Sequence, residues 1–227
     1  MKTICKFTYT ALIVLFSVSS IQANQPKIIW QNGHLVLWNK MILEGDVAYN
    51  WSAEMVLLRQ SDGRLHTYSA NQVSQFGWFD MDQHKRRNFV SLVKPIDKDR
   101  TNRVFLEICV DGPLAVVRRL RQPHGLLKRM FSHPSYSTDQ PIMAQNHDLF
   151  VYFVYDAGNL LEMDRFYSDI YQPLMTTYDH ELRQYVRDHN INDRTILGRL
   201  VLIDRYNSLV QHESKTASAK GFPDVMN

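Results

Sequence analysis

Arg103-Val104-Phe105-Leu106-Glu107-Ile108-Cys109-Val110, then Asp111-Gly112-Pro113, then Leu114-Ala115-Val116-Val117-Arg118-Arg119-Leu120-Arg121, is the stretch whose reading decides the fold. Two apolar arms flank three turn-forming residues. This predicts an antiparallel hairpin, because Asp and Gly take up the backbone angles that a tight reversal needs. In the first arm Val104, Leu106, Ile108 and Val110 alternate with Phe105, Glu107 and Cys109. Successive strand side chains point to opposite faces, so both faces of this arm are mainly apolar and the arm belongs in the middle of a sheet.

The same pattern continues toward the N-terminus. Residues 34–38 and 41–49 flank Asn39 and Lys40, and residues 54–60 and 64–68 flank Ser61, Asp62 and Gly63, which predicts two further hairpins. Residues 69–73 read as a single helical turn, 75–79 as a strand, 80–87 as a charged break and 88–94 as a strand. Beyond the central hairpin, residues 122–147 carry prolines and histidines with little periodicity and read as a long loop. Residues 147–155 form one more strand, with Leu149, Val151, Phe153 and Tyr155 on one face. The period then changes. Tyr178, Leu182, Tyr185, Val186 and His189 fall at helical spacing within 173–189, and Ile196, Leu200, Ile203 and Val210 do so within 193–212, with Asn192 or Asp193 as the cap. The expectation is an α+β protein. Its antiparallel β-rich body, built as a sheet, barrel or sandwich, covers 24–155 and includes the loop at about 122–147; two or three helices in 156–213 pack against it, and 214–227 form a flexible tail.

Residues 1–23 read as a removable signal peptide: Lys2 and Lys6 precede an apolar core from Tyr9 to Val18, followed by the small residues Ser19, Ser20 and Ala23. That core is shorter than the roughly 20 apolar residues a spanning helix needs, so no transmembrane helix is expected after processing. The chain is therefore expected to be exported to the periplasm, the cell surface or the extracellular space. Its 26 basic and 23 acidic residues include two lysines, and no acid, in this segment. The near-neutral remainder argues against a nucleic-acid partner, which usually demands a strongly basic face. Only Cys109 remains after processing, so no internal disulfide is possible, and its apolar setting suits a small core side chain better than a nucleophile.

Three groups invite a chemical reading. Asp80, Asp82 and His84 alternate within the charged break and offer two carboxylates and an imidazole to a divalent metal, although Lys85, Arg86 and Arg87 would repel one. A solvated hairpin tip fits them better. Arg119, Arg121, Lys128 and Arg129 form a basic run that suits an anionic glycan or lipid, with Arg118 on the opposite strand face from Arg119 and Arg121. His124, His133 and His147, with Asp139 and Asp148, supply residues for a hydrolytic site but lack metal-ligand spacing. No serine elbow and no phosphate-cradling glycine loop occurs, so no catalytic residue is assigned and no cofactor is expected.

The segments Leu43-Glu44-Gly45-Asp46-Val47-Ala48-Tyr49-Asn50, Tyr68-Ser69-Ala70-Asn71-Gln72-Val73, Phe76-Gly77-Trp78-Phe79-Asp80, Arg87-Asn88-Phe89-Val90-Ser91-Leu92 and Asp111-Gly112-Pro113-Leu114 resemble those of a group of uncharacterised exported proteins of Bacteroidetes-type bacteria. The resemblance implies export and a β-rich body and carries no activity with it. The function expected is a non-catalytic envelope or cell-surface binding module, whose partner is an envelope protein or an anionic glycan or lipid. The competing reading is an envelope hydrolase acting on a glycan, lipid or peptide.

Overall fold

Residues 28–93, 102–121 and 145–220 are described by the computed structural model, with side chains to residue 213. Residues 1–23, expected from the sequence to be a signal peptide, Lys128 and Arg129, His124, His133 and Asp139, and the end of the chain beyond 220 lie outside them.

Among the described residues the alternating segments become ten strands: β1 (Gln31–Leu37), β2 (Ile42–Asn50), β3 (Met55–Arg59), β4 (Leu65–Ser69), β5 (Val73–Asp80), β6 (Lys85–Val93), β7 (Arg103–Val110), β8 (Ala115–Leu120), β9 (Phe150–Asp156) and β10 (Asn159–Glu162). They form a single antiparallel sheet in the order β10-β9-β8-β7-β6-β5-β1-β2-β3-β4. Two meanders thus meet where β5 returns to pair with β1. Only Ala70, Asn71 and Gln72 connect β4 to β5. A chain of that length reaches at most about 14 Å, whereas four strand spacings in a flat sheet measure about 19 Å. The sheet must curl. Ala70 fixes the curl: its carbonyl accepts from Trp38 Nε1 at 3.2 Å and from Ser91 Oγ at 2.7 Å.

The concave face carries the main core. Leu35, Val47, Tyr49, Val56, Leu58, Phe76, Phe89, Phe105, Val116 and Val154 are buried there. The C-terminal segment joins the same core through Met163, Phe166, Ile170, Met175, Leu182, Leu202 and Ile203. This segment begins with a π-helix, Phe166–Met175, and continues into α1 (Asp179–Asp188) and α2 (Ile196–Lys220). A second, smaller cluster of Val104, Leu106, Val117 and Phe153 occupies the other face of β7 to β9. This is the two-faced burial that the alternation of β7 predicts.

Several boundaries differ from the sequence expectation, each for a local reason. The charged stretch 80–87 is not a break. The reversal is confined to 81–84, where His84 has φ 50°, and β6 already begins at Lys85. The β body extends past 155 because Ala157 and Gly158, with φ 45° and 95°, make the two-residue turn of a β9–β10 hairpin. The cap of α2 is Thr195 rather than Asn192 or Asp193, its Oγ1 accepting from Gly198 N at 3.1 Å. The helix itself runs on to Lys220, past the expected boundary at 213.

Asn207 fastens α2 to the central hairpin. Its Oδ1 accepts from Leu114 N at 2.9 Å, and its Nδ2 donates to Leu114 O at 2.9 Å and Asp111 O at 3.3 Å. Gly112 permits this approach, since a Cβ there would lie 2.7 Å from Asn207 Nδ2. Asn207→Ala should cost about 1–3 kcal/mol, the penalty for stranding buried backbone groups. A denaturant midpoint unchanged from the parent chain would refute this.

Candidate functional site

Two polar assemblies lie on opposite faces of the sheet. The first is internal. Alternation turns Arg87 of β6, Glu107 of β7, Arg118 of β8 and Tyr152 of β9 toward the concave side, and the register sets Glu107 beside Arg118 and Arg118 beside Tyr152. Arg87 Nε donates to Glu107 Oε1 at 2.7 Å, and Arg118 Nε donates to Oε2 at 2.7 Å. Arg87, Glu107 and Arg118 are only 1%, 3% and 4% exposed. Burial pushes the Glu107 carboxyl up, but the two guanidiniums outweigh it and hold its pKa below the ordinary value. Arg118, raised by the same carboxylate, also lies 4.0 Å over the Phe150 ring.

The row continues outward. Arg118 Nη1 donates to the Tyr152 hydroxyl at 3.4 Å, and that hydroxyl is hydrogen-bonded to His147 Nδ1, 2.7 Å away. Burial, Arg118 and Lys85 lower the His147 pKa below its ordinary value. A cleft of about 180 Å³ opens here, lined by Lys85, Cys109, Arg118, His147, Tyr152 and Leu200 among others. Cys109 occupies the irregularity between Ile108 and Val110 where β7 slips register against β8. Cys109 is exposed and lines the cleft, where partial burial and the Glu107 carboxylate push its thiol up to about 12. This leaves less thiolate at neutral pH than an ordinary thiol has. Alkylation by iodoacetamide at pH 7.5, followed by mass spectrometry, should therefore be far slower at Cys109 than in a free thiol.

The second assembly faces outward. Glu44, His34, Gly77 and Asn88 stand side by side on β2, β1, β5 and β6, and Phe79 pairs with Arg86 in the next row. Gly77 has no side chain to fill its place, and a Cβ there would fall 2.6 Å from Asn88 Oδ1 and 2.8 Å from the Arg87 carbonyl. The result is a saucer of about 320 Å³ rimmed by Asn32, His34, Glu44, Phe79, Arg86 and Asn88. All six are exposed. None of their polar side chains is hydrogen-bonded or ion-paired to another described residue, and the Phe79 ring is 43% exposed.

The structure does not assemble the metal ligands offered by the sequence. Asp80 is buried, with Oδ2 3.9 Å from Arg87 Nη1, and its Oδ1 accepts from the backbone of Asp82 and Gln83 at 3.0 Å each. Asp82 and His84 remain exposed at the turn. No group of three or more His, Cys, Asp or Glu among the described residues is placed to hold a metal. In the basic run Arg119 is half-buried opposite Val151, and Arg121 is exposed beyond the end of β8. Arg118 points the other way into the ion-pair row. Sequence reasoning missed that row and the saucer. A carboxylate at Glu107, in the middle of an otherwise apolar arm, was the available signal, because a buried charge requires partners.

No helix among the described residues is long and apolar enough to cross a membrane. The chain is an α+β protein with a large antiparallel sheet and a C-terminal helical segment packed against it. Comparison with known protein families, with curated proteins and with solved structures found no match.

Proposed function

We propose that the chain is an exported, non-catalytic binding module of the cell envelope that holds a glycan in the saucer on the outer face of its sheet. The observation that carries this reading is the cluster of uncommitted polar side chains around Gly77, with one exposed aromatic ring among them. A sugar presents hydroxyls that donate and accept together, and Asn32, Asn88, His34, Glu44 and Arg86 offer both kinds of partner. Its apolar C–H face matches the electron-rich face of Phe79. A depression of about 320 Å³ stands at the small end of ligand pockets and fits a single sugar unit of a longer chain. The ionisable groups on the other face support binding over catalysis, since Glu107 is held by two arginines and the Cys109 thiol stays protonated. Export is supported by the charged, apolar and small-residue order of the first 23 residues.

A glycan array probed with the chain starting at residue 24, followed by titration calorimetry on any hit, tests this. Phe79→Ala and Asn88→Ala should each weaken binding about tenfold, equivalent to about 1.4 kcal/mol, with unchanged melting temperature because both side chains are exposed. Retention indifferent to both substitutions, or no retention of any glycan, would remove the proposal. Cleavage of a retained glycan would replace it with the hydrolase reading.

A further inference from the structure

We infer that the glycan held in the saucer carries both an ammonium and a carboxylate, on neighbouring sugar units; this rests on the glycan reading above. The outer face of the sheet has a polarity across its strands. Glu44 and Asp46 stand on β2 and Arg86 on β6, with β1 and β5 between them in the sheet. The positions that face them, His34 and Asn32 on β1 and Gly77 and Phe79 on β5, hold no acid, lysine or arginine. Acid therefore lies at the β2 side of the saucer and base at the β6 side.

Each of these three charges has a definite standing. Asp46 is committed to Arg59 of β3, which it meets at 2.8 Å. Glu44 and Arg86 remain, and they are the two formally charged residues that line the saucer. Neither has an ion pair or a side-chain hydrogen bond with a described residue, even though Asp82 lies in the turn next to Arg86. Nor can they readily pair with each other. Three strand spacings separate β2 from β6, about 14 Å in a flat sheet. A ligand bearing only an anion would answer Arg86 and bring like charge toward Glu44, and one bearing only a cation would do the reverse. A ligand bearing both complements the two sides at once. The span between the two side chains suits neighbouring units of a chain better than a single ring, so an amino sugar with a free amine beside a uronic acid meets the requirement. Arg86 takes the carboxylate and Glu44 the ammonium, each as a charge-assisted hydrogen bond. The same pair fixes the direction in which the glycan crosses the strands, because the reversed chain would set like charges together.

The test is titration calorimetry of the chain from residue 24 with four tetrasaccharides. N-deacetylated hyaluronan alternates free-amine glucosamine with glucuronate; its N-acetylated parent keeps only the carboxylates, a chitosan tetramer only the ammoniums, and the N-acetylated chitosan tetramer neither. The first should bind tightest, and removal of either kind of charge should weaken binding about fivefold, the upper end for an exposed ion pair. Glu44→Gln should abolish the preference for the ammonium alone, and Arg86→Gln the preference for the carboxylate alone. Both variants should keep the parent melting temperature, since the side chains are exposed. Equal binding of all four would overturn the inference and leave the glycan reading standing. It is also overturned by a charge preference that survives these substitutions, by tighter binding of the peptide Lys-Gly-Gly-Glu than of the doubly charged glycan, or by no heat from any of the four at about 10 mM. In the last case a hit elsewhere on the glycan array would still uphold the broader reading.

Discussion

Replacing Glu107 by glutamine is expected to cost about 3–5 kcal/mol of folding stability, the penalty for breaking a buried ion pair by removing one partner. Both oxygens of this carboxylate receive guanidinium hydrogen bonds at 2.7 Å, from two different strands. Glutamine keeps the shape but withdraws the charge and one acceptor. Two guanidiniums, 1% and 4% exposed, are then left facing each other without their shared counter-charge. The cost comes from that stranded charge and not from the intrinsic strength of the pairs. The combined replacement Asp80→Asn, Arg87→Met, Glu107→Leu and Arg118→Met should therefore recover most of it, because no buried charge, including that of Asp80 beside Arg87, is then left to be offset. Urea unfolding of the parent and both variants decides the matter. A loss below about 1 kcal/mol for Glu107→Gln would show that the row is hydrated.

The same group sets an acid limit. The folded pKa of Glu107 is lowered from its ordinary 4.5, so its contribution is complete above that pH and is lost as pH falls through the depressed folded value. Acid unfolding of the parent should steepen below about pH 4.5. In Glu107→Gln that component should be missing. An identical pH dependence in the two proteins would assign acid sensitivity to other carboxylates.

The central hairpin was legible in the sequence because alternation and Asp111-Gly112-Pro113 are local signals. The two-faced burial of β7 was read from an equally local pattern. The curl was not legible, since it follows from the three-residue link between β4 and β5 together with the distant β1–β5 pairing. The run Lys85, Arg86 and Arg87 looked like one solvated charge cluster. Once β6 begins at Lys85, alternation divides it: Arg87 goes inward to Glu107, while Arg86 joins Phe79 at the saucer. The saucer itself draws on β1, β2, β5 and β6. Its depression depends on Gly77 standing between His34 and Asn88, which no single segment discloses.

Trp51→Ala is expected to destabilise the fold by about 3–5 kcal/mol, the range for deleting a fully buried large aromatic side chain. Trp51 belongs to the β2–β3 turn and is nevertheless only 2% exposed. Its ring lies 4.8 Å from Tyr49, 5.5 Å from Phe89 and 5.2 Å from Phe150. Phe150 is on β9, six positions from β2 in the sheet. In a flat sheet six strand spacings would separate them by about 29 Å. The Trp51 ring thus joins the two meanders across the concavity, and its removal opens a cavity at the point where the curl closes on itself. Trp51→Phe should cost less, since part of the ring contact survives. A double-mutant cycle pairing Trp51→Ala with Phe150→Leu should give a coupling of about 0.5–1.5 kcal/mol, the range for an aromatic pair in contact. Strict additivity of the two substitutions would mean that the rings do not touch in solution and that the sheet is more open than its strand connections require.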